Sequence, residues 1–230
     1  MDSVVDISAA RALVGDAAVW PRVRSFLWDF ATQVDGSWLD GNPQVADLMS
    51  NPRVRRHVLE VLGVEPTFHL FPKEDWSRLV LLDGGTLVSI AKWLGAILCS
   101  EALRSVTKGA DVRALKAALP GVYPDVFGFT AYFPGVGGAD VPRGDAEAQN
   151  QGAELGARVV SKGVETLFGL LSGLPGPLLE RLKFKLPKDI CDFAAVMGGA
   201  GKDGRKADAD GRVVKKLLKL KFPEAYRLCC

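Results

Sequence analysis

The chain has 230 residues, 48% hydrophobic and 24% charged, with 29 Lys+Arg against 27 Asp+Glu for a formal net charge of +2. This apolar content excludes a disordered chain, and 25 Gly and 13 Pro without a strict period exclude a collagen-like one. Near-neutrality gives the molecule as a whole no reason to bind nucleic acid or an acidic membrane, and the length suffices for one large domain or two small ones.

The first residues, Met1-Asp2-Ser3-Val4-Val5-Asp6, are acidic where a secretory signal needs positive charge, so no signal is expected. Val23, Phe26, Leu27, Phe30 and Val34 recur at helical spacing and predict one helix with an apolar face. Asn51 and Pro52 read as N-cap and first position of a helix from Arg53 to Leu62, with Gly63 as its stop. The longest central helix is expected from Thr86 to Lys108, with Leu87, Ile90, Leu94, Ile97 and Leu98 as its stripe and Gly109 closing it. Its most apolar part, Leu87 to Cys99, is interrupted by Lys92 and is too short to span a bilayer.

A shorter helix is expected from Asp111 to Leu119, ended by Pro120-Gly121. An aromatic, turn-rich segment follows from Tyr123 to Pro134, and then a surface loop to Gly144. Helix returns from Asp145 to about Leu171, with Leu155, Val159, Val160, Val164 and Leu167 on its packing face. Gly173 to Pro177 breaks it, and Leu178 to Phe184 forms a short helix ended before Pro187. Gly198 to Gly211 reads as a mobile loop, before a last amphipathic helix from Val213 to about Leu220. The class expected is mainly α: an irregular multi-helix globular domain with few or no strands. Residues 1–65 read as an N-terminal helical region and residues 66–230 as the core, together one compact domain.

Familiar chemistry is missing. Only His57 and His69 occur, which excludes zinc sites built on His pairs. His57, among three arginines on a helix, reads as solvent-facing. Gly198 to Asp203 imitates a phosphate loop, but Val196 stands where its first glycine belongs and Asp203 where its hydroxyl belongs. Asp208-Ala209-Asp210-Gly211 imitates a calcium loop, but Lys206 and Leu217 occupy its first and last ligand positions. No catalytic, metal or cofactor residues are assigned, and no enzyme is expected. Cys99 and Cys191 read as buried thiols, and Cys229 and Cys230 as exposed thiols of a frayed C-terminus, all reduced in a cytoplasmic protein.

One asymmetry stands out. Residues 181–230 carry 13 Lys+Arg against 6 Asp+Glu, a net of +7, which leaves −5 for residues 1–180. Such a tail fits nucleic acid, an acidic protein partner or a solvated surface. It carries few aromatics for base stacking along its sequence.

Three stretches, taken in order, resemble a known family. They are Arg78 to Leu82 leading to Leu94-Gly95-Ala96-Ile97-Leu98 and Leu103 to Gly109; Gly173-Leu174-Pro175-Gly176-Pro177 running on to Pro187; and Lys215-Lys216-Leu217-Leu218-Lys219-Leu220-Lys221-Phe222-Pro223-Glu224 near the C-terminal cysteines. Over about residues 66–230 this order is similar to the SctK (YscK, PscK, MxiK, OrgA) family of bacterial type III secretion systems. The resemblance implies a largely helical, cytoplasmic, non-enzymatic protein, peripheral to the inner-membrane base of the apparatus and not inserted in the membrane. It implies an adaptor of the sorting platform that links the ring protein SctD to the pod protein SctQ, and through SctQ to SctL and the ATPase SctN. No cofactor and no nucleic acid are implied. The candidate contact residues are Glu180, Arg181, Lys183 and Lys185 on the Pro-flanked helix, and Lys215, Lys216, Lys219 and Lys221 on the last basic helix. Leu178, Leu179, Leu182, Phe184 and Leu186 read as core beside them. The alternative is a nucleic-acid-binding regulator that uses the basic C-terminal region.

Overall fold

In a computed structural model of the chain, which describes residues 19–39, 48–65, 71, 76–136, 151–197 and 204–230, helices make up the regular structure and no strand occurs among the described residues. Helix α1 spans Trp20–Trp28 and α2 Pro52–Val61. The start of α2 follows its residues: the Asn51 side chain accepts from the Arg53 amide at 2.9 Å, Pro52 takes the first turn, and Gly63 at φ 67° ends the helix. The expected helix over Val23 to Val34 divides instead. Asp29 leaves helical geometry, and Phe30–Gln33 continues as a 3-10 turn that still buries Phe30.

After 3-10 helices at Phe30–Gln33 and Gly36–Leu39, a third, Trp76–Leu81, leads into α3, Gly84–Leu98. Asp83 caps α3 by accepting from the Thr86 amide at 2.8 Å and from its hydroxyl at 2.7 Å. The expected single helix from Thr86 to Lys108 is broken at Cys99. Helix α4 is only Ser100–Arg104, and Gly109 opens the next helix rather than closing this one. The Ser105 hydroxyl donates back to the Ala102 carbonyl at 2.8 Å, a local bond that competes with helix continuation, and β-branched Val106 and Thr107 follow. Helix α5 spans Gly109–Ala118 and α6 Val126–Phe129, so the aromatic segment is more helical than its turn residues suggest.

Helix α7 is Gln151–Leu170, α8 Gly176–Lys185, α9 Lys188–Met197, α10 Gly204–Lys221 and α11 Pro223–Cys229. Helix α9 has no counterpart in the sequence reading. The expected loop from Gly198 to Gly211 is helical from Gly204 onward, because α10 is longer than its apolar stripe and packs against α7. The remainder of that loop, residues 198–203, lies outside the described residues, as do residues 137–150 and His69. The C-terminus is docked, not frayed: Cys229 is buried and Cys230 half-buried, because α11 lies against the 3-10 helix Trp76–Leu81.

The chain forms two discontinuous units. The first takes its described residues from Met1–Leu87, Leu171–Lys188 and Phe222–Cys230, and the second from Val88–Leu170 and Asp189–Lys221.

The second unit is built on close helix approach. A Cβ on Gly95 of α3 would lie 1.8 Å from the Val159 carbonyl oxygen, and one on Gly163 of α7 would lie 1.9 Å from that of Ala91. On the face toward α5, a Cβ on Gly156 would meet the Ala118 Cβ at 2.5 Å. Nothing in these contacts is a flexible side-chain tip, so an added methyl forces backbones apart. Gly95→Ala and Gly163→Ala are therefore each expected to cost about 3 kcal/mol in chemical denaturation. Gly169→Ala, with open space around its Cβ in α7, is expected to gain up to about 1 kcal/mol from helix propensity.

Candidate functional site

The sequence-predicted contact residues fall into two settings, four on α8 in the first unit and four on α10 in the second. Of the four on α8, only Glu180 and Lys183 are exposed, and the Lys183 Nζ sits 5.0 Å from the Trp38 ring centroid. Arg181 and Lys185 are corrections: their side chains are 2% and 1% exposed and cannot meet a partner at the surface. Both lie at i and i+4 on the face that also buries Leu178 and Leu182. That spacing was the signal in the sequence. Leu178, Arg181, Leu182 and Lys185 fall at i, i+3, i+4 and i+7, with two cations written into the packing stripe.

Each buried cation is answered by carbonyls. Arg181 donates from Nη1 to the carbonyls of Phe26 at 2.6 Å and Leu27 at 3.1 Å, and from Nη2 to that of Glu65 at 3.0 Å. Its guanidinium also lies 5.7 Å from the Phe26 ring centroid and 5.2 Å from that of Phe30. Lys185 donates from Nζ to the carbonyls of Val80 at 2.6 Å and Leu82 at 2.8 Å, with the Phe26 ring centroid at 4.7 Å. Arg78, also buried, donates to the carbonyls of Phe71 at 2.9 Å and Leu228 at 3.2 Å. Phe26 and Leu27 belong to the last turn of α1, Val80 to the end of the 3-10 helix with Leu82 just past it, and Leu228 to the last turn of α11. Each of the three cations thus meets a helix C-terminus, where carbonyls lack helical partners and the helix dipole is negative, while Glu65 and Phe71 add acceptors from outside the helices.

Burial pulls the Lys185 ammonium down from 10.5 to about 7, against the attraction of Asp83 and with the repulsion of Arg22. Burial alone lowers the Arg181 guanidinium from its ordinary value. The Asp83 carboxyl is raised by burial, but the Thr86 bonds and the Lys185 charge outweigh this and leave it below its ordinary value.

On α10, Arg212, Lys215, Lys216 and Lys219 are exposed at i, i+3, i+4 and i+7 and form one stripe. Val213, Val214, Leu217 and Leu218 fill the opposite, buried face. By helical rise the stripe runs about 10 Å, and none of its four cations makes an ion pair among the described residues. Lys221 completes the set, with Nζ 4.3 Å from the Trp93 ring centroid and 5.8 Å from that of Phe129. The Lys216 Nζ lies 5.6 Å from the Phe133 ring centroid. Arg104 lies 5.8 Å from the Phe127 ring centroid and donates to the Thr130 hydroxyl at 2.7 Å. The rings join each other edge-on: Trp93 to Phe129 at 5.2 Å and Phe129 to Tyr132 at 5.6 Å. Sequence reasoning found few aromatics near the basic tail, and the fold supplies them from α3 and from the segment around α6.

His57 is exposed, as its helix position suggested. Among the described residues, no group of three or more His, Cys, Asp or Glu side chains converges on a metal-sized site, and no helix is long and apolar enough to cross a membrane. Comparison with family models, curated proteins and solved structures finds no match to the chain.

Two measurements check the electrostatics. A lysine depressed to about 7 in the folded state and at 10.5 when unfolded leaves more protons on the unfolded chain between those values. Its contribution to stability therefore rises with pH across that window and is flat below about 7. Relative to Lys185→Met, the wild type is expected to gain about 1–2 kcal/mol between pH 7 and 8.5, read by denaturant unfolding at each pH. Burial raises the Cys99 thiol to about 11, and burial aided by the neighbouring Cys230 raises Cys229 to about 12. Only the half-buried Cys230 is expected to react quickly with an aromatic disulfide reagent at pH 8, with the rest released on denaturation.

Proposed function

We propose that the protein is a non-enzymatic adaptor of a bacterial type III secretion sorting platform, linking a SctD-type ring protein to a SctQ-type pod protein. It would stand in the cytoplasm at the inner-membrane base and reach SctL and the SctN ATPase through SctQ. The observation that carries this reading is the order of the three Leu- and Pro-marked stretches, which resembles the SctK family. Two further features support it. Those stretches include most of the 3-10 helix, α8, the C-terminal part of α10 and the start of α11, so the resemblance falls on framework as well as on surface. The stripe on α10 offers positive charge with no ion-pair partner among the described residues, and such charge steers and orients an acidic partner more than it adds raw affinity.

The nucleic-acid reading has less behind it. Rings close to the basic helix have cations over them, whereas stacking platforms need free faces.

The adaptor is expected to co-purify with a SctQ-type protein and to bind an isolated SctD cytoplasmic domain. Joint replacement of Lys215, Lys216 and Lys219 by Glu is expected to weaken one of these contacts by about tenfold or more, with circular dichroism unchanged. Failure of both pull-downs with folded proteins would sink the reading.

A further inference from the structure

We propose that the basic stripe of α10 and the aromatic cluster beside it form one docking site for an acidic protein segment that carries an apolar side chain among its carboxylates. The proposal deepens the adaptor reading by naming the partner chemistry of the same face, and rests on that reading only for the partner's identity.

Charge is the first argument. Two turns of one helix expose four cations with no ion-paired carboxylate among the described residues. Like charges this close repel one another, and an acidic surface relieves that repulsion while fixing register. Carboxylates on successive turns of a helix, about 5 Å apart, match the spacing of the stripe.

Apolar exposure is the second. Among the described residues of the second unit, the large hydrophobic side chains left in solvent are Tyr132, 52% exposed, and Leu220, 44% exposed. Both border the cations. Tyr132 packs edge-on against Phe129, whose ring lies under Lys221, and Leu220 stands between Lys219 and Lys221 on α10. An aromatic and apolar centre within a charged rim is the anatomy of a protein interface.

The same geometry weighs against two other occupants. Trp93 and Phe133 are each 4% exposed and lie under Lys221 and Lys216, so neither presents a face to a nucleic-acid base. A membrane-surface helix inserts its apolar face, and on α10 that face is buried in protein.

The test uses the full chain and two fluorescein-labelled peptides of equal length and charge, one alternating Glu with Leu and one alternating Glu with Ser. The Glu/Leu peptide is expected to bind about tenfold tighter. Lys215→Glu with Lys219→Glu is expected to weaken both peptides by about tenfold or more. Tyr132→Ser with Leu220→Ser is expected to remove the preference for Leu while leaving the Glu/Ser peptide unchanged. All four positions are exposed, and thermal melts verify that the variants fold. Equal affinity for the two peptides, or tighter binding of a thymidine 20-mer or of phosphatidylserine vesicles, overturns the proposal. Peptide binding with both pull-downs negative leaves this site standing and removes the secretion adaptor. Positive pull-downs with no peptide preference do the reverse.

Discussion

A guanidinium or an ammonium enters an apolar interior only if something answers its charge, and in the first unit the answer comes from the ends of helices. Arg181 takes carbonyls in the last turn of α1, Lys185 those of Val80 and Leu82 at and just past the end of the 3-10 helix Trp76–Leu81, and Arg78 that of Leu228 in α11. The desolvation of a cation costs several kcal/mol, and here carbonyl dipoles at helix C-termini offset it, with no ion-paired carboxylate among the described residues. The bonds also satisfy acceptors that helical geometry leaves over. One helix, α8, thereby fixes the position of elements more than 100 residues away in sequence. Removing either α8 cation would leave buried carbonyls without donors, so the loss extends beyond the side chain itself.

The second unit uses the opposite device. Where the first inserts long charged side chains, the second removes side chains altogether, and Gly95, Gly156 and Gly163 let backbones approach until carbonyl oxygens lie where a Cβ would stand. This packing holds α7 close to its neighbours, and α10 lies against α7. Val213, Val214, Leu217 and Leu218 anchor α10 from within. The outer face is then free to carry charge that packing does not need.

Local grammar was legible. Asn51, Pro52 and Gly63 bounded α2 because capping and left-handed backbone are short-range matters. Pro175 and Pro187 bracketed α8 for the same reason. Short-range signals mislead where two of them compete. The helix over the apolar stripe of α3 ends at Leu98, Cys99 separates it from the short α4 that Ser105 closes, and the Gly- and Asp-rich start of α10 is helical despite its composition. Arg181 and Lys185 misled because charged residues are mostly exposed, yet their i, i+4 spacing already placed them on the buried stripe of α8.

By itself, then, the sequence determined a mainly helical chain, most of the helix positions, a basic C-terminal region and the order of stretches that resembles one family. Each follows from residues near one another along the chain. Only the tertiary structure decided which basic residues are framework and which are surface, because that depends on whether carbonyls from distant helices converge on the charge. It alone brought Trp93 and Phe129 beside Lys221, since helix packing and not sequence distance sets which rings meet which cations. The balance of 29 against 27 charges therefore conceals a third division. Beside an acidic body and a basic tail stand cations withdrawn into the interior, which no count of charge distinguishes from those left in water.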